Sequence, residues 1–115
     1  MNKLQNTNSV HHIGETVDFY YYGASYVTDG GNSIYFTIRF EKPVDSVVKS
    51  FLIKFERLEL RQNGKYLNSN LSDLTANIIR IPGGIFRMSI TNAKGFGGIN
   101  NEVTGIDLVT KITFK

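Results

Sequence analysis

Ser33-Ile34-Tyr35-Phe36-Thr37-Ile38-Arg39-Phe40 alternates without a break: Ile34, Phe36, Ile38 and Phe40 fall on one side of an extended chain, and Tyr35, Thr37 and Arg39 on the other. Successive strand side chains point to opposite faces, so this period of two predicts a half-buried strand. Asp29-Gly30-Gly31-Asn32 precedes it, a cluster that tolerates positive φ and predicts a turn. Before the turn, Val17, Phe19 and Tyr21 alternate with Asp18, Tyr20 and Tyr22, so the two runs predict a hairpin. Gly23 is expected to bend or bulge its first strand. Pro43 stops the second, because a residue without an N–H cannot continue an interior ladder.

Downstream the pattern is two-valued at first. Val44, Val47, Val48, Phe51, Phe55 and Leu58 fall at helical spacing. Phe51, Ile53 and Phe55, then Leu58 and Leu60, also fit a strand whose phase slips at Glu56-Arg57, as a β-bulge produces. The strand is favoured over the helix for 44–60. Asn63-Gly64 then predicts a tight hairpin into Lys65-Tyr66-Leu67. A loop over 68–73 leads to a strand at Leu74–Ile81, a turn at Pro82-Gly83-Gly84, and a strand from Ile85 to Thr91 with Phe86, Met88 and Ile90 on one face. After a Gly- and Asn-rich connection, Leu108, Thr110, Ile112 and Phe114 form one face of a last strand, expected to pair beside the first. The expectation is an all-β fold, an antiparallel, jelly-roll-like β-sandwich of about seven or eight strands. Its core is expected to hold Phe19, Phe36, Ile38, Phe55, Ile90 and Ile112.

Composition limits the function classes. The chain has 115 residues, 41% hydrophobic and 20% charged, which fits one domain over 13–115 preceded by a flexible polar arm, 1–12. A net charge of +3, with basic residues scattered through the chain, is too thin for a nucleic-acid footprint, so no nucleic-acid partner is expected. Residues 1–9 lack the apolar run of a secretory signal, and charges interrupt every apolar stretch, so neither export signal nor membrane insertion is expected. Zero cysteine removes disulfides and thiolate sites.

Catalytic patterns find no support. His11 and His12 are adjacent, point opposite ways on an extended segment, and are read as part of the solvated arm and not as a metal pair. Asp29 to Ser33 lacks the order of an EF-hand loop. Glu56 and Glu59 lie among Lys54, Arg57 and Arg61, the alternation of a solvated face. Gly95-Phe96-Gly97-Gly98 has no following Lys-Ser/Thr and is no phosphate loop. The chain is therefore expected to be non-enzymatic and to need no cofactor or metal.

Binding has more to work with. Tyr20, Tyr22, Tyr35 and Tyr66 are placed opposite the core, where flat rings with a hydroxyl handle suit sugars and proteins; the competing role is shielding neighbouring strands. Phe96, between glycines, is either a plug under its own loop or an exposed contact, the plug being favoured. The candidate ligand-binding residues are Tyr20, Tyr22, Arg61, Tyr66, Phe96 and Asn100.

Arg61-Gln62-Asn63-Gly64-Lys65-Tyr66-Leu67, Gly23-Ala24-Ser25, the run from Ser33 into Lys42-Pro43-Val44, and the closing Val109-Thr110-Lys111-Ile112-Thr113-Phe114 together carry a resemblance. The chain after Val17 resembles the carboxy-terminal β-sandwich domains of tail-fibre, baseplate and minor structural proteins from phages and prophages of Gram-positive bacteria. The resemblance implies a virion tail-tip location, a homotrimer or otherwise multivalent head, other virion tail proteins as partners, and a host cell-surface glycan, commonly a polysaccharide, as ligand. The matching pieces are framework strands and turns, so the resemblance assigns no ligand-contacting residue. The chain departs from such proteins in starting at Met1 without a long fibrous shaft, which leaves an isolated domain or a small stand-alone virion protein. A small protein-binding or inhibitor module, using the Tyr-bearing face or a loop, is the competing expectation.

Overall fold

The computed structural model describes residues 9–27, 31–62, 65–96 and 103–115. Its strands are β1 (Thr16–Val27), β2 (Ser33–Ile38), β3 (Phe51–Gln62), β4 (Lys65–Asn68), β5 (Leu74–Ile81), β6 (Ile85–Asn92) and β7 (Val103–Phe114). A 3-10 turn, Leu71–Asp73, joins β4 to β5. All pair antiparallel in one sheet of order β4-β3-β7-β1-β2-β6-β5, which curls into a half-barrel. The all-β, antiparallel expectation stands. The expected two stacked sheets are replaced by one continuous ladder, because β1 and β2 stay paired at their turn end and carry the sheet around the corner. The wing β3-β7-β1 thus faces the wing β2-β6-β5 across the core.

Alternation in the sequence becomes alternation in burial. Ile34, Phe36 and Ile38 of β2 and Phe86, Met88 and Ile90 of β6 are buried, as are Leu108, Thr110, Ile112 and Phe114 of β7. The expected core members Phe36, Ile38, Ile90 and Ile112 are there; Phe19 and Phe55 pack against the core half-buried. At the closed end, Phe40, Phe51, Phe86 and Phe114 meet with ring centroids 5.1 to 6.0 Å apart, mostly edge to face. Such aromatic pairs add about 0.5–1.5 kcal/mol each beyond their burial.

β3 forms the strand favoured for its segment, and its register against β7 shifts between Phe55 and Arg57, the position of the phase slip. Neither helix nor strand forms over 44–50. Val44 and Val48 are both buried because a turn brings them to the same side, with the Val48 amide donating to the Asp45 carbonyl at 3.0 Å and the Val47 amide to Asp45 Oδ1 at 3.2 Å. Arg80 holds this loop, donating to the carbonyls of Asp45 (2.6 Å), Val48 (3.2 Å) and Val44 (3.4 Å). β3 and β4 pair from Gln62↔Lys65 onward; Asn63 and Gly64 between them lie outside the described residues.

Three expectations need correction. Gly23 does not bulge β1, whose register against β7 runs unbroken through Gly23↔Ile106. A Cβ there would lie 2.9 Å from the Tyr21 hydroxyl, so the glycine makes room for a ring. The hairpin of β1 and β2 closes only at Tyr26↔Tyr35 and Val27↔Ile34, and the strands splay beyond. His11, read as solvated, is only 4% exposed. Its ring stacks on Phe114 at 5.1 Å, its Nδ1 lies 2.9 Å from Glu15 Oε2, and its Nε2 accepts from the Lys42 amide at 3.4 Å. Main-chain bonds pin the same residue, its amide to the Pro43 carbonyl and its carbonyl to the Asp45 amide, both 2.8 Å. A polar neighbourhood in sequence concealed an imidazole whose polar atoms are satisfied, which is the condition for burying it.

Candidate binding face

The outer face of the long wing is built by register. Tyr20 and Tyr22 of β1 oppose Val109 and Asp107 of β7, which in turn oppose Arg57 and Glu59 of β3. Arg61 of β3 opposes Gly105 on one side and Tyr66 of β4 on the other. Four of the candidate residues, Tyr20, Tyr22, Arg61 and Tyr66, therefore occupy neighbouring positions of three strands, although the Tyr66 side chain is outside the described part.

Tyr20 and Tyr22 are each 57% exposed, and their rings are stacked, with centroids 6.5 Å apart and planes 12° from parallel. The Arg61 guanidinium lies over the Tyr22 ring, 4.6 Å from its centroid. It reaches there across β7 at Gly105, where a Cβ would sit 3.4 Å from Arg61 Nη2 and 3.6 Å from Arg61 Cβ. A glycine at that position is what lets the side chain lie low on the sheet. Cation–π contact of this exposed kind contributes about 0.5–1 kcal/mol and limits the rotamers of both partners.

Charges frame the rings. Arg57 Nη2 is 2.8 Å from Asp107 Oδ1, and that hydrogen bond, together with the carboxylate charge, raises the Arg57 pKa. Tyr20 is also raised, first by desolvation and then by the negative charge of Asp107. Lys111 pairs with Asp18 at the end of the face, which raises the lysine. Further along, Tyr26 and Tyr35, directly opposite in register, are exposed as well.

The remaining candidates are not part of this face. Phe96 is 3% exposed, its amide donating to the Gly31 carbonyl at 2.9 Å, so it is the plug and offers no ring to a ligand. Asn100 lies outside the described residues. Gly105 and Asp107 were missed by reasoning on side-chain type alone, since one has no side chain and the other reads as an ordinary surface charge. Once β7 was aligned beside β1, their positions between Arg61 and the tyrosines were the signal that was available.

Among the described residues, no three of His, Cys, Asp and Glu gather in a way that holds a metal ion, and no helix is long and apolar enough to cross a membrane. Comparison with protein-family models, with curated proteins and with solved structures found no match to this chain.

Proposed function

We propose that this is a non-catalytic binding domain whose outer β1-β7-β3 face holds a host cell-surface polysaccharide. The observation that carries the reading is the pair of parallel, more than half-exposed Tyr20 and Tyr22 rings with Arg61 laid on the second. Exposing two large aromatic faces side by side forgoes burial, and flat apolar area with hydroxyl and guanidinium donors at its edge suits a ring that is apolar on its faces and polar on its rim. The stacking of Arg61 and the crossing at Gly105 hold the platform ready before ligand arrives, which lowers the entropic cost of binding.

The resemblance to phage tail-fibre and baseplate domains supplies the proposed setting, a virion tail tip in which the chain is a homotrimer beside other tail proteins. Three copies of a weak site, about millimolar each, would hold a repetitive chain through effective concentration. The test is binding of purified Gram-positive cell-wall polysaccharides by the wild type and by Tyr20→Ala and Tyr22→Ala, with sedimentation to read the oligomer. Each substitution is expected to weaken binding at least about tenfold with the melting temperature nearly unchanged, since exposed positions contribute little to stability. A wild type that binds no polysaccharide, or variants that bind as well as it does, would overturn the reading.

A further inference from the structure

We propose that the open seam between β1 and β2 receives an extended peptide strand carrying acidic side chains, held on main-chain groups and not on the ring faces of the tyrosine platform. The orientation of the pleat defines the seam. In an antiparallel ladder the N–H and C=O of one residue point to one neighbouring strand and those of the next residue to the other. The Phe19 carbonyl turns toward β7, where it accepts from Thr110 Oγ1 at 3.2 Å. The Ala24 carbonyl turns the other way and, without a ladder partner, is capped by the Tyr21 hydroxyl at 2.8 Å. The same parity directs the main-chain groups of Asp18, Tyr20 and Tyr22 into the seam, where no ladder pair meets them. On the opposite bank the Tyr35 carbonyl faces β1 and takes the Ser25 hydroxyl, so Thr37, two residues on, presents its own N–H and C=O there.

A groove of about 400 Å³ runs between these banks, walled by Phe19–Tyr21 and Thr37–Arg39 and bounded by Ile85. It continues past Phe19, Tyr20 and Arg39 into a second hollow of about 210 Å³ that ends at His11 and Glu41. Rings form its floor, Tyr21 stacked on Phe36 at 4.3 Å and Phe19 tilted against Phe40 at 5.7 Å. Main-chain donors and acceptors therefore recur along the β1 bank every second residue, about 6.6 to 6.8 Å, and face those of Thr37 across an apolar floor. An extended peptide presents N–H and C=O groups at that same interval and side chains alternately down and up, which is the logic of strand addition.

Charge selects the peptide. Arg39 and Arg87 are exposed on the β2-β6 side of the seam, and neither has a charged partner within 4.0 Å among the described residues. Asp18 on the other bank is already paired with Lys111. A second copy of this chain fits poorly, because its free edge strands, Lys65–Asn68 and Leu74–Ile81, contain no acidic residue and would bring Lys65 or Arg80 toward the two arginines. A separate peptide with carboxylates on its upward face satisfies both the backbone and the charge.

The experiment is amide hydrogen exchange by NMR on the intact chain, alone and with three series of alternating polar–apolar decapeptides whose polar positions carry Glu, Gln or Lys. In the free protein, the amides of Tyr20, Tyr22 and Thr37 are expected to exchange at least about a hundredfold faster than those of Phe19 and Tyr21. The Glu series is expected to bind and slow those three amides, the Lys series to bind at least about tenfold more weakly, and Arg39→Glu to reverse that order. Slow exchange at all three in the free protein, no binding by any series, or binding that leaves the three amides unchanged would overturn the proposal. Protection by self-association or by a polysaccharide in place of peptide would overturn it equally. Arg61→Ala alters the platform at a residue of β3 outside the seam and so is expected to retain peptide binding, which separates failure here from failure of the polysaccharide platform.

Discussion

β1 has two edges that the chain treats differently. Along β7 it is paired from Thr16↔Thr113 to Tyr26↔Val103, and the hydroxyls of Thr16 and Thr113 meet at 2.8 Å at the far end. Along β2 it is paired only beside the turn. The closed edge is held by main-chain bonds and by a fully buried row, Leu108, Thr110 and Ile112. The open edge is held by side chains: Tyr21 against Phe36, Phe19 against Phe40, the Tyr21 hydroxyl on the Ala24 carbonyl, which lacks a β2 partner, and the Ser25 hydroxyl on the carbonyl of Tyr35, the last residue before the pairing ends. Main-chain pairing needs only an extended chain, whereas side-chain closure needs particular residues at particular places. The open edge should therefore be the more sensitive to chemistry and the less costly to disturb.

The largest effect is expected at the closed edge. Leu108 is fully buried opposite Tyr21 and Leu58, so Leu108→Ala is expected to lower stability by about 2–5 kcal/mol through lost burial and a cavity. Phe19→Ala removes a larger side chain, but from the half-buried rim of the seam, and is expected to cost less than Leu108→Ala in the same urea titration. An equal or greater loss for Phe19 would break the contrast between the edges.

Gly23→Ala tests the open edge from within. The new Cβ would lie 2.9 Å from the Tyr21 hydroxyl, and an exit of that ring would break its bond to Ala24 and its stack on Phe36. The expected loss is about 1–2 kcal/mol, since a flexible side-chain end can move where a backbone cannot. Gly14→Ala is the informative control, because there the added Cβ meets nothing and only its φ of +93° is strained.

At the mouth of the seam, pH is the variable. Burial disfavours the Glu15 carboxylate, yet the hydrogen bond with His11 and the bond from the His12 amide outweigh it and hold its pKa below 4.5. The group takes up its proton less readily folded than unfolded. Its contribution is thus fully present above about pH 4.5 and is lost as pH falls through the lowered folded value. Urea midpoints measured at neutral pH and near pH 3 are expected to differ less for Glu15→Gln than for wild type; an unchanged difference would mean that Glu15 does not report on this corner.

How much of this was legible depended on whether a property repeats along the chain. Periodic burial made β2, β6 and β7 readable, and the slip at Glu56-Arg57 exposed the bulge, because a bulge is a phase error in an otherwise regular pattern. Val44 and Val48 mimicked a helix because a single tight turn also returns the chain to the same side after four residues. His11 was hidden because its burial depends on Phe114, Glu15 and Lys42, partners that no local pattern announces. The tyrosines of the outer face were legible as outward-pointing. Their joining to Arg61 was not, since it required the order β3-β7-β1 and a glycine at 105 between them.

The smallest expected effect isolates one atom of the open edge. Tyr21→Phe keeps the ring on Phe36 and removes only the hydroxyl that donates to the Ala24 carbonyl at 2.8 Å. This bond is solvent-exposed, so water replaces the lost donor and the expected cost is about 0.5–1 kcal/mol, below that of Gly23→Ala. The variant frees the carbonyl while leaving the floor of the groove intact, so it extends the unpaired bank by one position toward Tyr26. If the hydroxyl acts as a stopper for the seam, exchange of the Tyr26 amide next to the remaining pairs should quicken in the variant while that of Tyr21 and Gly23, committed to β7, stays as it was. Quickening at Tyr21 and Gly23 as well would show that the two edges of β1 open together, and the difference between them would then be one of geometry without a difference in stability.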